Sequence, residues 1–160
     1  MTAAGHRALR VTILRARAAI AVLCAATAGA GWADVAPADV RVAGDGIAEP
    51  VAAVPGDAAR GRALVIARDH ANCVLCHAVP EPAVRFSGNV GPSLAGIGAR
   101  MTAAQLRLRV ADNLSVNPDS VMPSYYKVAG LDRVALQYEG RPILSAAEVE
   151  DLVAYLSTLR

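Results

Sequence analysis

Apolar positions recur at helical spacing in three places along this chain, and no stretch alternates as a half-buried strand would. In the first, Gly61, Leu64, Val65 and Arg68 fall at i, i+3, i+4 and i+7 behind a capping Asp57, which predicts a helix from Ala58 to about Arg68. In the second, Thr102-Ala103-Ala104-Gln105 reads as a capping box, with Met101 and Leu106 at the two positions of a hydrophobic staple, opening a helix to about Asp112. In the third, Ser145-Ala146-Ala147-Glu148 repeats the box with Leu144 and Val149 as its staple. Val149, Leu152, Val153 and Leu156 then form the buried stripe of a C-terminal helix, flanked by Tyr155. Helices joined by loops predict an all-α fold.

The intervening segments carry turn chemistry. From Asp34 to Gly56 the chain is alanine, valine, proline and glycine with scattered acids and no period, which predicts an extended arm ahead of a domain spanning 57–160. The alternative is an arm that lies on a partner protein. Gly88 to Gly98, with Pro92 inside it, is loop. Asn113 to Pro142 is a long irregular stretch holding Pro118, Met122 and Pro123, and loops of that length usually carry function or are disordered. Gly61 costs its helix about 1 kcal/mol relative to alanine. It is either the point where another helix approaches closely or a tolerated weak spot.

Residues 1–33 have the three-part anatomy of a secretory leader. Arg7, Arg10, Arg15 and Arg17 make a basic start without acids, a short apolar stretch runs from Ala18 to Ala30, and small residues follow. Cleavage is expected after Ala33, with Ala30 second and an uncleaved anchor as the alternative. The apolar stretch is short for a membrane span. Loss of four arginines and no acid leaves twelve basic against fourteen acidic residues, so the whole-chain net charge of +2 becomes −2. With no basic tract and no aromatic-interleaved stripe, nucleic-acid binding is not expected. Cys24 leaves with the leader, and only Cys73 and Cys76 remain.

Those two thiols lie in Cys73-Val74-Leu75-Cys76-His77, the C-x-x-C-H pattern of covalent haem c attachment. Thiols three positions apart reach the two vinyl groups on one porphyrin edge, and the adjoining imidazole swings beneath the ring as the proximal iron ligand. A thioredoxin-like dithiol would sit near a βαβ pattern, and zinc would need further ligands; neither is in evidence. Export agrees with haem c and points to the periplasm.

A six-coordinate haem needs a ligand on its other face, usually Met or His. Met1 goes with the leader, Met101 serves as a staple, and His70 stands only three positions before Cys73, where it reads as a surface residue. Met122 remains. It lies in the long loop, and Pro123 presses it towards an extended conformation that suits a loop crossing a haem.

Taken together, the mature chain resembles a class I cytochrome c. In that family the proline of a Gly-Pro loop offers its carbonyl to the proximal imidazole, so the resemblance implies that Pro92 of Gly91-Pro92-Ser93-Leu94 orients His77. Val121-Met122-Pro123-Ser124-Tyr125-Tyr126 and Gly140-Arg141-Pro142-Ile143-Leu144 are more specific, and resemble the SoxX family, monohaem subunits of the SoxAX complexes of bacterial thiosulfate oxidation. The resemblance covers about Gly44 to Arg160. It implies a heterodimer with a SoxA-like subunit that holds the catalytic haem, a SoxYZ-like carrier whose cysteine receives thiosulfate, and a downstream cytochrome acceptor. This chain would be the electron-transfer subunit, without catalytic residues of its own. A free-standing periplasmic electron shuttle is the alternative.

Overall fold

The computed structural model describes residues 33–160, so the expected leader lies outside the described residues apart from Ala33. The described residues form four helices, α1 (Ala58–Ile66), α2 (Ile97–Arg100), α3 (Ala103–Asp112) and α4 (Ala146–Thr158), with 3₁₀ turns before α1, between α1 and α2, and twice between α3 and α4. Among the described residues there is no strand, only a lone antiparallel bridge between Ala43 and Gly46. The fold is all-α.

Helix boundaries follow from the caps. Oδ1 of Asp57 accepts the N–H groups of Ala59 and Arg60 at 2.8 and 2.9 Å, satisfying two donors that have no partner within α1. Both capping boxes form, with Thr102 against Gln105 and Ser145 against Glu148. Helix α1 stops two residues short of the expected Arg68. Ala67 turns out to φ −62°, ψ 145°, and the Arg68 guanidinium reaches away to the carbonyl of Phe86. Helix α2 was not anticipated. It is one turn that begins at the end of the glycine-rich stretch and runs past it, started by Gly96 at φ +68°.

The core forms where α1 and α3 pack on α4. A Cβ added at Gly61 would lie 1.9 Å from the carbonyl oxygen of Asp151, so glycine here is the point where α1 and α4 touch backbone to backbone. Leu106, Leu108 and Val110 of α3 are buried with Val149, Leu152, Val153 and Leu156 of α4. Each fully buried aliphatic side chain contributes about 1.5–3 kcal/mol.

Residues 34–56 lie on this frame. Ile47 and Val51 are 2% and 1% exposed, although the surrounding sequence has no period. Their backbone is held by a buried ion pair. Arg107 of α3 grips Glu150 of α4 in two bonds of 2.7 and 2.9 Å, and donates a further 2.7 Å bond to the carbonyl of Ile47. Glu150 Oε1 accepts the N–H of Val51 at 2.8 Å. The next residue, Asp151, accepts the N–H of Asp57 at 2.6 Å and two bonds from Arg60. Two consecutive acids on α4 thus fasten the segment and the start of α1.

Candidate haem-binding site

The motif begins at Asn72, whose left-handed backbone (φ +58°) turns the chain into the 3₁₀ turn Cys73–Leu75. The carbonyl of Cys73 accepts the N–H groups of Cys76 and His77 at 3.2 and 3.0 Å, which folds the five residues into a single coil. Both cysteines and His77 therefore face one cavity of about 500 Å³. Burial pushes the Cys73 thiol up to about 11. That is the wrong direction for a redox dithiol, which needs a stabilised thiolate.

The loop from Gly88 to Leu94 runs alongside. Gly88, Gly91 and Leu94 donate backbone bonds of 2.8–2.9 Å to Val74, Cys76 and Ala78. This places Pro92 so that its carbonyl oxygen is 2.6 Å from Nδ1 of His77. A carbonyl only accepts, so Nδ1 carries a proton, which leaves Nε2 as the nitrogen that can offer a lone pair to a metal. Gly91 lies flat against the same ring: a Cβ there would come within 2.3 Å of His77 Cε1.

Met122 and Met101 both line the same cavity. The staple position of Met101 thus also faces the cavity, which the sequence did not indicate. His70 does not line it; its Nε2 sits 2.9 Å from Glu148 Oε1 on the outside of α4. Among the lining residues that the sequence did not single out are Tyr125, Arg109 and Asn113. Tyr125 donates its hydroxyl to the carbonyl of Ala71 at 2.7 Å, and burial pushes its phenol well above the usual range. Arg109 and Asn113 line the cavity from α3 and the turn that follows it. Continuing the helical period from Leu106 through Val110 to Asn113 would have found the last of them.

The residues fit a covalently held porphyrin. Leu94, Ile97, Leu106, Val110 and Leu156 give the cavity apolar walls, the two thiols share its edge, and a neutral imidazole and thioethers are suited to haem iron. Among the described residues no cluster of three or more His, Cys, Asp or Glu side chains could hold a bare metal ion.

Comparison with known proteins agrees. The cytochrome c family model matches residues 58–160. The structure of SoxXA from P. pantotrophus contains a chain 34% identical to this one, with a TM-score of 0.73, covering 79% of this chain and 98% of that one. Ferric cytochrome c-550 from Paracoccus versutus is 20% identical, with a TM-score of 0.38 and coverage of 65% and 98%. Cytochrome c2 from Paracoccus denitrificans is 18% identical, with a TM-score of 0.37 and coverage of 65% and 96%. No curated protein matches.

The chain belongs to the cytochrome c family and carries one covalently bound haem c. Within that family it is a SoxX-like electron-transfer cytochrome. No helix among the described residues is long and apolar enough to cross a membrane.

Proposed function

We propose that the chain is the electron-accepting subunit of a periplasmic SoxAX-type complex of thiosulfate oxidation, exported by a leader that is removed near Ala33. In this reading Cys73 and Cys76 form the two thioethers, and His77 and Met122 are the axial ligands. The haem supplies a one-electron redox centre. What the protein contributes is control of that centre. Pro92 holds the His77 ring in one orientation and one tautomer and raises its basicity. The Met122 thioether favours reduced iron, which raises the potential. Apolar walls and Tyr125 keep the cavity dry, so the electron moves without substrate reaching iron.

The observation that carries the site assignment is the 2.6 Å contact between His77 and Pro92 on a cavity that Met122 also lines. The partner assignment is supported by the likeness to nearly the whole of one chain of the P. pantotrophus SoxXA structure. Thiosulfate coupling needs a reactive thiolate, and both mature cysteines are committed to haem. The sulfur chemistry therefore belongs to a SoxA-like subunit and a SoxYZ-like carrier cysteine, and the electrons pass on to a downstream cytochrome.

The test is co-expression with a tagged SoxA-like subunit in an exporting, haem-maturing host. The expected result is a stable heterodimer whose SoxX-like haem is reduced by thiosulfate only when the carrier is present. Failure to associate, or turnover by the isolated chain, overturns the reading in favour of a free-standing shuttle.

A further inference from the structure

Met122 belongs to an irregular stretch, yet that stretch is tied to the end of α3 at successive residues. Tyr125 and Tyr126 donate their N–H groups to the carbonyls of Val110 and Ala111 at 3.2 and 3.0 Å, occupying acceptors of the last helical turn that lack a partner within α3. Asp112 accepts the Ser124 hydroxyl at 2.7 Å and the Lys127 ammonium at 2.8 Å. Nearest to the methionine, Nδ2 of the buried Asn113 donates to Ser120 Oγ at 2.6 Å. That same oxygen accepts the N–H of Met122 at 3.1 Å. Pro123 already confines Met122 to extended backbone, so fixing its N–H fixes the remaining freedom of the peptide that carries the thioether.

We infer that Asn113 and Ser120 are positioning residues, a two-bond clasp that presents the Met122 thioether to iron and keeps the distal side of the cavity closed to small ligands. The inference rests on Met122 being the sixth ligand. Each bond in the clasp is of ordinary strength, but both pass through one oxygen, so losing Ser120 Oγ removes the tie at Met122 itself in a single step and leaves the nearest ties to α3 at Ser124 to Lys127. Asn113 also lines the cavity, so the clasp closes at the wall that Met122 must face.

An exogenous ligand measures how often the clasp opens. Imidazole binds the oxidised haem protein only when the methionine is off the iron, so its apparent affinity is reduced by the fraction of molecules that are closed. In the full holo-protein, Ser120→Ala is expected to bind imidazole about tenfold more tightly than the parent, equivalent to about 1.4 kcal/mol. Ser120→Thr keeps the oxygen and is expected to match the parent. Asn113→Leu, close in volume but without the amide donor, is expected to shift affinity in the same direction as Ser120→Ala and serves if that variant does not mature. The sulfur-to-iron charge-transfer band of the oxidised parent separates the two ways of failing. A parent without the band overturns the Met122 reading and the clasp with it. A band in the parent, with Ser120→Ala binding imidazole no more tightly or Ser120→Thr as loosened as Ser120→Ala, overturns the clasp alone.

Discussion

Nδ1 of His77 and the carbonyl oxygen of Pro92 are 2.6 Å apart, and the residue directly before that proline, Gly91, has no room for a side chain. The two facts are one device. The Gly91 backbone lies against the ring, so the next carbonyl falls where only Nδ1–H can meet it. A bond of that kind fixes the tautomer and the ring plane of a ligating histidine.

Gly91→Ala therefore tests the proximal side. Its Cβ would meet Cε1 of His77 at 2.3 Å, a clash that the ring must relieve by tilting away from Pro92. Overpacking of this sort costs about 1–3 kcal/mol. The expected outcome is a lower midpoint in denaturant and a shifted reduction potential, with haem still covalently bound on a denaturing gel. An unchanged potential would show that the Pro92 contact does not tune the iron.

Two methionines line the cavity, so they must be told apart by experiment. Met122→Ala is expected to lose the sulfur-to-iron charge-transfer band and to lower the potential. Met101→Ala is expected to keep the band, since Met101 stands directly before the Thr102 cap, at the staple position of α3, at a cost of about 1 kcal/mol. Spectra in which the two variants exchange behaviours would make Met101 the ligand.

The parts legible in the sequence were those with local signatures. Thr102 with Gln105 and Ser145 with Glu148 form their boxes because each is complete within four residues. The coil of Cys73 to His77 is likewise local, and so are the cavity-facing positions it sets. The seat of residues 34–56 was not legible. Its anchors, Glu150 and Asp151, lie more than ninety residues away, at positions where an acid ordinarily reads as solvated surface. Gly61 was ambiguous for the same reason, because the carbonyl it approaches belongs to Asp151 on another helix.

Carboxylates held below their usual range make the fold acid-sensitive, Glu81, Asp112 and Glu148 among them. The paired Arg62 guanidinium, followed by the Tyr155 hydroxyl, holds Glu81 below the usual carboxylate range. Asp112 and Glu148 are each pushed up by burial, yet end lower because bonds from Lys127, Ser115 and Ser124 in one case, and from Ser145 and His70 in the other, outweigh it. A carboxylate with a folded-state value below its unfolded one contributes stability above the unfolded value, and that stability is lost as pH falls through the folded one. Stability is therefore expected to be flat from neutral pH to about pH 5 and to fall below about pH 4. Glu81→Gln should flatten the acid limb, which urea titrations at several pH values would read.

The buried pair of Arg107 and Glu150 is a case where breaking and replacing have different consequences. Both side chains are 6% exposed, and Glu150 also holds the N–H of Val51. Glu150→Ala leaves the buried Arg107 guanidinium without its counter-charge and the Val51 N–H without an acceptor, and is expected to cost about 3–5 kcal/mol. Limited proteolysis should then cut within residues 34–56 before it cuts the helices. A variant as stable and as resistant as the parent would mean that the ion pair does not fasten this segment.

The same segment decides how the partner reading is to be tested. Deleting residues 34–55 would remove Ile47 and Val51 from the core and uncover Arg107, so weaker association of the truncated protein with a SoxA-like subunit would follow from damage to the domain itself. Point substitutions separate the two effects. Ile47→Ala removes a side chain that is 2% exposed and is expected to lower stability by about 2–5 kcal/mol. Its haem spectrum should stay unchanged, because Ile47 does not line the haem cavity. Val42 and Val54, 46% and 56% exposed, project from the same segment without supporting the core. Val42→Asp and Val54→Asp are expected to leave the unfolding midpoint within about 0.5 kcal/mol of the parent. If the segment also serves the heterodimer, they weaken association with the SoxA-like subunit in a binding titration. Undiminished affinity in both variants would assign the segment to the cytochrome domain alone.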